Sequence, residues 1–162
     1  MARKKDSPQK AALRELMGNY LKENNVKVKD GQELSYNEIL KICNWLNFKT
    51  NNKVFKGSMD YIQNGYDETN DAVNKIIEIA LKNNKTYILG IGAITNIALA
   101  IKKEPQIVNK IEIIWLGGNE LGYIDNLEYN FRQDVEAVKI VFESEVKLTI
   151  LPCKNIVSEL RI

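Results

Sequence analysis

The sequence predicts an α/β fold: an open, mostly parallel β-sheet with flanking helices. Three apolar runs, near residues 86, 110 and 146, are rich in Ile, Leu and Val, which is typical of strands covered by helices on both faces. Helical patterns separate these runs, and strands that alternate with helices form right-handed βαβ units. Glycine-containing segments follow the first two runs, at the edge where parallel sheets bind ligands.

Residues 1–32 match this pattern poorly, and residues 33–162 are predicted to form a partial α/β domain. We predict one helix in the first region, over Ala11–Lys22. Its apolar residues recur at spacings of three and four and therefore share one face. They are Leu13, Leu16, Met17, Tyr20 and Leu21. Val26–Gly31 is predicted to be a polar loop.

Helix and strand signals become clearer from Ser35 onwards. Ser35 and Glu38 match a capping box, S-x-x-E, and predict a helix that begins there. A short strand is predicted at Lys53–Phe55. The polar run Asp67–Asn70 then predicts the start of a helix that continues to about Leu81, with an apolar stripe on one face.

The second half of the chain alternates strands and helices. The predicted strands are Thr86–Ile91, Lys110–Leu116 and Val146–Leu151, and the predicted helices are Thr95–Lys103 and Asp134–Ser144. Thr95 or Asn96 is expected to cap the first helix. Asp134 is expected to stabilise the start of the second helix through its charge, which is a structural role. Glu145 follows that helix at a position where a left-handed conformation, favoured by Gly, is expected.

Length and composition are typical of one soluble domain. The chain has 162 residues, a formal net charge of +2 and 44% hydrophobic residues. No run approaches the roughly 18 apolar residues of a membrane span, and the N-terminus lacks the apolar core of a secretory signal. The short basic run at residues 3–5 is too small to indicate nucleic-acid binding. Cys43 and Cys153 lack metal-ligand spacing and suit a reduced, cytoplasmic protein.

Two glycine-rich segments at strand ends are candidate ligand loops. Gly90–Thr95 (GIGAIT) has two glycines of a dinucleotide fingerprint, but Thr95 replaces the third, and no acidic residue ends a second strand about twenty residues later. Leu116–Tyr123 (LGGNELGY) lacks the Lys-Ser/Thr pair of a phosphate-binding P-loop. Both segments are therefore interpreted first as turns, and phosphoryl transfer is disfavoured.

Glu128 and Asn130 are the best candidates for contact with a polar ligand. Residues two apart in an extended segment point to the same side, and a carboxylate beside an amide suits the hydroxyls of a sugar. The alternative is a solvated pair in a loop. A catalytic group is harder to assign, because the chain contains no His and no cluster of Asp residues. Hydrolysis usually needs a second group that activates water or binds a metal.

The order of motifs resembles the inosine/uridine-preferring nucleoside hydrolases. Typical members contain G-P-x-T-N-I-A, P-x-I-x-x-K-I, M-G-G, E-F-N and D-P-E-A-A in this order. The corresponding segments here are Gly92–Ala98 (GAITNIA), Pro105–Ile111 (PQIVNKI), Leu116–Gly118 (LGG), Glu128–Asn130 (EYN) and Asp134–Ala137 (DVEA). The resemblance extends from about Glu33 to Cys153.

This resemblance implies an open α/β sheet, a bound Ca²⁺ ion, and hydrolysis of the N-glycosidic bond of ribonucleosides to base and ribose. By position, the backbone carbonyl of Ile91 matches a Ca²⁺ ligand, and Leu116 matches a residue that packs near the ribose. Glu128 and Asn130 match residues that hydrogen-bond to ribose hydroxyls, and Asn126 matches an Asn near the sugar.

Two elements of that family pattern are missing. The N-terminal D-x-D-x-x-x-D-D motif, which supplies the Asp cluster, is absent, and so are the C-terminal His and Asp. We therefore expect the chain to resemble only the central part of the family domain, truncated at both ends, and to be inactive alone. One alternative is a hydrolase completed by a complementary chain, and another is a non-catalytic nucleoside- or ribose-binding protein. An incomplete sheet is also expected to leave strand edges unpaired and one apolar face uncovered, and therefore to self-associate.

Overall fold

The computed structural model describes residues 28–125 and 127–159. The helix predicted over Ala11–Lys22 and the candidate site residue Asn126 lie outside the described residues. Within the described ranges, the predicted strands and helices occur from residue 71 onwards in the order that the sequence predicts, with one additional short helix at Tyr129–Gln133.

Three parallel strands form one open sheet in the order β1-β2-β3. β1 is Thr86–Gly90, β2 is Ile111–Leu116 and β3 is Lys147–Leu151, so each strand is one residue shorter than predicted. Ile88 lies beside Ile113, which lies beside Leu148, and the three apolar runs are therefore in register. The predicted open, parallel α/β sheet is confirmed.

Helices occupy the connections between the strands and the region before them. α1 is Val28–Trp45, α2 is Asp71–Lys82, α3 is Thr95–Lys103, α4 is Tyr129–Gln133 and α5 is Val135–Glu143. Short 3-10 turns lie at Ile62–Asn64, Pro105–Lys110 and Val157–Glu159. Of the helices in the described ranges, none has the length and apolar character that crossing a bilayer requires.

Local chemistry accounts for several helix ends. The side chain of Asn70 caps α2 by accepting a hydrogen bond from the backbone N–H of Val73 at 3.0 Å. Pro105 starts the turn that follows α3, at a position where its missing N–H costs no helical hydrogen bond. Glu145, after α5, has a φ of 60°, which confirms the left-handed conformation expected there.

Two predictions in the first part of the described chain are wrong. α1 begins at Val28, so Ser35 lies inside the helix rather than at its cap, and residues 28–31 form its first turn rather than a loop. Lys53–Phe55 is not a strand. The backbone N–H groups of Lys53 and Val54 both donate to the carbonyl of Thr50, which makes a tight turn instead.

The predicted cap of α3 is also wrong. Ile94 occupies the N-cap position and makes no side-chain capping bond. Thr95 and Asn96 use their side chains for tertiary contacts instead, since Thr95 donates to Asp134 and Asn96 accepts from Ser58. The start of α3 is therefore fixed by neighbouring loops rather than by its own cap.

Helices cover one face of the sheet. α3 packs between α2 and α5, and the core beneath them includes Leu99, Ile113 and Trp115. On the other face, Tyr87 and Leu89 of β1 are 59% and 71% exposed. In the described part of the chain, helices therefore cover one face rather than both, and the other face is left apolar and exposed, as expected of a sheet that is truncated at both ends.

Candidate functional site

The carboxyl ends of the strands meet at one edge of the sheet, where two loops are fastened together. The loop after β2 begins at Gly117, and its backbone N–H donates to the carbonyl of Leu151 at 3.2 Å. The backbone N–H of Cys153, in the turn after β3, donates to the carbonyl of Gly118 at 2.9 Å. These bonds hold the loop after β2 and the turn after β3 as one platform, as expected for the ligand edge of a parallel sheet.

Glu128 lies at the centre of this platform, and its side chain is buried, with 8% of the residue exposed. Its Oε2 atom accepts backbone hydrogen bonds from Asn130 at 2.9 Å and from Phe131 and Gly118 at 3.1 Å. Among the described residues, its Oε1 atom accepts only from the thiol of Cys153, with an Oε1–Sγ distance of 3.4 Å. One carboxylate oxygen is therefore saturated, while the other has a weak donor and room to accept a hydroxyl.

Asn130 is tied to the end of β2. It is buried in the first turn of α4, and its Nδ2 atom donates to the backbone carbonyl of Leu116 at 2.7 Å. Leu116 therefore contributes a backbone acceptor to the platform, and its side chain is half-buried. Because Nδ2 donates to protein, Oδ1 is the group of Asn130 with which a ligand donor could pair.

The local conformation of Glu128 and Asn130 differs from the extended pair that the sequence predicted. Glu128 is the N-cap of α4, and Asn130 lies inside this helix. The two side chains nevertheless bind adjacent parts of one loop, since Glu128 accepts from Gly118 and Asn130 donates to Leu116. A helix start, rather than an alternating strand, is what brings them together.

Packing explains the Gly117-Gly118 pair. The rings of Trp115 and Phe131 stack with centroids 4.6 Å apart, and the loop crosses the Phe131 ring. A Cβ atom on Gly117 would lie 2.8 Å from that ring, and Gly118 has a φ of 70°, which side chains rarely adopt. Both glycines are required by the loop itself, which supports their interpretation as a turn.

Ile91 lies directly after β1 at the same edge, and its side chain is 81% exposed. The indole N–H of Trp115 donates to the carbonyl of the next residue, Gly92, at 2.8 Å. The turn after β1 is thereby attached to β2. The structure thus places Ile91 at the predicted edge of the sheet, but beside a different strand from the Glu128 platform.

Asp134 is a second buried carboxylate, at the start of α5, and it is completely inaccessible to solvent. Its Oδ1 atom accepts from the backbone N–H groups of Ala137 at 3.2 Å and Gln63 at 3.3 Å. Its Oδ2 atom accepts from the backbone N–H of Ile62 at 2.9 Å and from the hydroxyl of Thr95 at 2.7 Å. The structural role predicted for Asp134 at the helix start is confirmed, and it extends to two further segments of the chain.

Cys153 is a residue of the platform that sequence reasoning missed. Its position directly after β3 and Pro152 indicates that it lies at the ligand edge. Its contact with Glu128, 25 residues earlier, could not be predicted from the sequence. Burial raises the pKa of the Cys153 thiol to about 11, and the hydrogen bond and charge of Glu128 act in the same direction. The thiol is therefore protonated at neutral pH and acts as a donor rather than as a base or nucleophile.

The fit of a Ca²⁺ ion to these residues is poor. Ca²⁺ takes six to eight oxygen ligands, several of them charged. The described residues contain no group of three or more His, Cys, Asp or Glu side chains placed to hold a metal. Protein donors occupy Oε2 of Glu128 and both oxygens of Asp134. The described residues do not by themselves form a Ca²⁺ site.

A groove of about 490 Å³ lies at the opposite, amino-terminal edge of the sheet, lined by Ile101, Pro105, Asn109 and Glu145 among others. It contains none of the candidate site residues. The hydrogen-bonded carboxylate at the carboxyl edge has clearer binding chemistry than this open groove, so Glu128 is the stronger candidate for a binding site.

Comparison with known proteins shows which family the sequence is similar to. The model of the family described as inosine-uridine preferring nucleoside hydrolase matches residues 10–160. A protein of Dictyostelium discoideum named "Probable ribonucleoside hydrolase" is 37% identical over 84 residues, which are 51% of this chain and 25% of that protein. The inosine-uridine preferring nucleoside hydrolase of Crithidia fasciculata is 34% identical over 85 residues, 49% of this chain and 27% of that protein.

Among solved structures, an inosine-uridine preferring nucleoside hydrolase of Bacillus anthracis aligns with 54% of this chain and 32% of its own, at 28% identity and a TM-score of 0.47. The matched part of the chain spans about a quarter of the length of these curated relatives. Because the family model covers most of the sequence, the chain belongs to the inosine-uridine preferring nucleoside hydrolase family.

Proposed function

We propose that this chain supplies the ribose-binding part of a nucleoside hydrolase, whose reaction is hydrolysis of the N-glycosidic bond of ribonucleosides to base and ribose, and that it is inactive alone. The observation that carries the proposal is the difference in hydrogen bonding between the two carboxylate oxygens of Glu128. Three backbone N–H groups hold Oε2, while the one described donor to Oε1 is a thiol. A fixed carboxylate with one open oxygen suits a sugar hydroxyl.

The preorganisation of Glu128 supports binding rather than chemistry. A carboxylate that is already oriented by three donors loses little conformational freedom when a ligand arrives, and this favours affinity. The open Oε1 atom would accept one ribose hydroxyl, and Oδ1 of Asn130 would accept a second. Leu116 and Asn126 are proposed to lie against the same sugar, as the family resemblance implies.

Catalysis needs more than this platform supplies. The thiol of Cys153 stays protonated at neutral pH, because its pKa is raised to about 11. Asp134 already accepts four hydrogen bonds from protein. In the described part of the chain, Glu128 is therefore the one carboxylate of the platform with an oxygen open to a ligand, and it lacks a partner that would activate water.

Two other functions remain open to test. A complementary chain that carries the Asp cluster would complete a hydrolase that depends on Ca²⁺, and the carbonyl of Ile91 would then be one ligand of the ion. Alternatively, the chain binds nucleosides or ribose without turnover. We place either activity in nucleoside salvage in the cytoplasm, which agrees with free thiols at Cys43 and Cys153.

The purified chain should bind ribose weakly and should not hydrolyse inosine or uridine. Binding is measured by NMR line broadening of ribose, and hydrolysis by a reducing-sugar assay with and without Ca²⁺. Glu128→Gln should abolish binding, whereas Glu136→Gln, an exposed carboxylate on α5, should leave it unchanged.

Two results would overturn the proposal. Turnover on the order of one per second, a typical enzyme rate, would show that the chain is complete. Ribose binding that is equal in wild type and Glu128→Gln would show that ribose does not bind at the Glu128 platform.

A further inference from the structure

Three backbone N–H groups fix the position of the Oε2 atom of Glu128 without fixing the direction in which its Oε1 atom points. The three donors, from Gly118, Asn130 and Phe131, all converge on Oε2. The carboxylate can still turn about this anchored atom, because the last torsion of a Glu side chain has a broad energy minimum. The orientation of Oε1 therefore depends on a separate contact.

Within the described part of the chain, Cys153 supplies that contact. Its thiol donates to Oε1 of Glu128 over an Oε1–Sγ distance of 3.4 Å. Burial raises the pKa of the thiol to about 11, so the proton needed for this bond is present at neutral pH. A thiol is a weak donor, but an ionised acceptor strengthens the bond that it makes. Cys153 can therefore orient Oε1.

The backbone of Cys153 is held in place on both sides of the side chain. Its N–H donates to the carbonyl of Gly118 at 2.9 Å, and its carbonyl accepts from the N–H of Ser158 at 3.1 Å. The carbonyl of the preceding residue, Pro152, accepts from the N–H of Val157 at 3.0 Å. The turn after β3 thus presents the thiol from a fixed position.

Glu128, Gly118 and Cys153 form a closed ring of hydrogen bonds. Gly118 donates its N–H to Oε2 of Glu128 and accepts at its carbonyl from the N–H of Cys153, and the thiol of Cys153 returns to Oε1 of Glu128. Each residue is bonded to both of the others. Because the ring cannot change shape at one residue without straining a bond at another, it couples the direction of Oε1 to the loop after β2.

The thiol also leaves part of Oε1 available. A carboxylate oxygen has two acceptor positions, and the thiol occupies one of those on Oε1. A sugar hydroxyl would use the other position, so the thiol determines the direction from which this hydroxyl approaches. Hydrogen bonds weaken steeply as they bend. The direction of approach therefore decides how strongly one particular hydroxyl of the ligand is recognised.

We infer that Cys153 is a positioning residue, whose thiol holds Oε1 of Glu128 in the orientation that accepts a ribose hydroxyl and thereby sets the preference for ribose over sugars that lack this hydroxyl. The inference rests on the proposed function, since it assumes that ribose binds at Glu128. Cys153 acts through Glu128 in this role. A thiol that only packed against its surroundings would contribute to stability but not to this preference.

Cys153→Ala tests the inference by comparing ribose with 2-deoxyribose and 3-deoxyribose in titrations followed by NMR line broadening. Wild type should bind ribose more tightly than the deoxyribose that lacks the hydroxyl donated to Oε1. In Cys153→Ala this ratio of affinities should fall by about three- to tenfold, which corresponds to the weakening of one hydrogen bond. Loss of packing alone would weaken the binding of all three sugars equally and leave the ratio unchanged.

Two further variants separate the donor from the packing of the side chain. Cys153→Ser keeps a donor at this position and should retain a higher ratio than Cys153→Ala. Cys43→Ala is the matched control, because it removes the other thiol of the chain from α1, outside the platform. This control should keep the wild-type ratio. Equal ratios in Cys153→Ser and Cys153→Ala would contradict the role of the donor.

Circular dichroism melts establish that each variant is folded before its binding is interpreted. If Cys153→Ala does not fold, Cys153→Val takes its place, since Val fills a similar volume and has no donor. An unchanged ratio in the non-donor variant, together with loss of binding in Glu128→Gln, would overturn this inference and leave the proposed function intact. A wild-type chain that does not bind ribose, or that binds it as well as Glu128→Gln does, would overturn both.

Discussion

Two buried carboxylates, Glu128 and Asp134, lie six residues apart, and each begins a helix. They differ in how many of their oxygens are already used by hydrogen bonds from the protein. Asp134 is fully buried, and both its oxygens are used by donors from its own helix and from two distant segments. Glu128 has one saturated oxygen and one that faces a thiol. The difference teaches that two buried carboxylates can differ in how far the protein's own donors occupy their oxygens, so burial alone does not single out a binding group.

Asp134→Asn should have the largest effect. Every arrangement of the amide puts its NH₂ group against a backbone N–H, since Oδ1 faces Gln63 and Ala137, and Oδ2 faces Ile62 and Thr95. Buried donors would be left unpaired, and we expect a loss of about 3 kcal/mol in the free energy of unfolding, measured by urea melts. Asp71→Asn, at an exposed position on α2, should stay within about 0.5 kcal/mol of wild type. Equal losses in both variants would contradict the central role of Asp134.

Glu128→Gln should have a smaller effect on stability. The amide oxygen can keep the three backbone hydrogen bonds, and the NH₂ group can face the sulfur of Cys153. We expect a loss of about 1 kcal/mol in the free energy of unfolding, because hydrogen bonds to a charged acceptor are replaced by neutral ones. A loss as large as that of Asp134→Asn would show that Oε1 is not open.

The Glu128→Gln variant should also lower the pKa of the Cys153 thiol. The apparent pKa of Cys153, read from the pH dependence of its alkylation in a Cys43→Ala background, should fall from about 11 in Glu128→Gln, since the negative charge next to the sulfur is removed. Burial, the larger cause, would remain, so the pKa should stay above that of an exposed cysteine. An unchanged value would mean that Oε1 does not contact the thiol.

Glu145→Gly extends the comparison to the other end of α5 and should have the smallest effect. Glu145 has a φ of 60°, which costs a residue with a side chain more than it costs Gly. We expect a gain of roughly 0.5–1 kcal/mol in the free energy of unfolding. Glu143→Gly, two residues earlier in the helix, should instead lose roughly 0.5–1 kcal/mol, because Gly is a poor helix former. A loss in both variants would show that Glu145 is not strained.

Sequence reasoning predicted the elements whose signals are local. The strands at residues 86, 111 and 147, the helices α2, α3 and α5, and the left-handed Glu145 all follow from periodicity, caps and breakers within a few residues. The start of α1 was missed because Ser35 and Glu38 resemble a cap while lying inside a longer helix. A cap motif specifies a helix start only when the preceding residues leave the helix.

The sequence by itself determined the parallel α/β order, the family, and the position of Glu128, Asn130 and Leu116 at the ligand edge, because these depend on local patterns and motif order. Tertiary structure decided which oxygen of Glu128 is open, that Asp134 joins three segments, and which face of the sheet is uncovered. Those properties depend on contacts between residues 25 to 72 positions apart, such as Cys153 with Glu128 and Asp134 with Ile62. No local pattern specifies the partner of a buried polar atom at that separation.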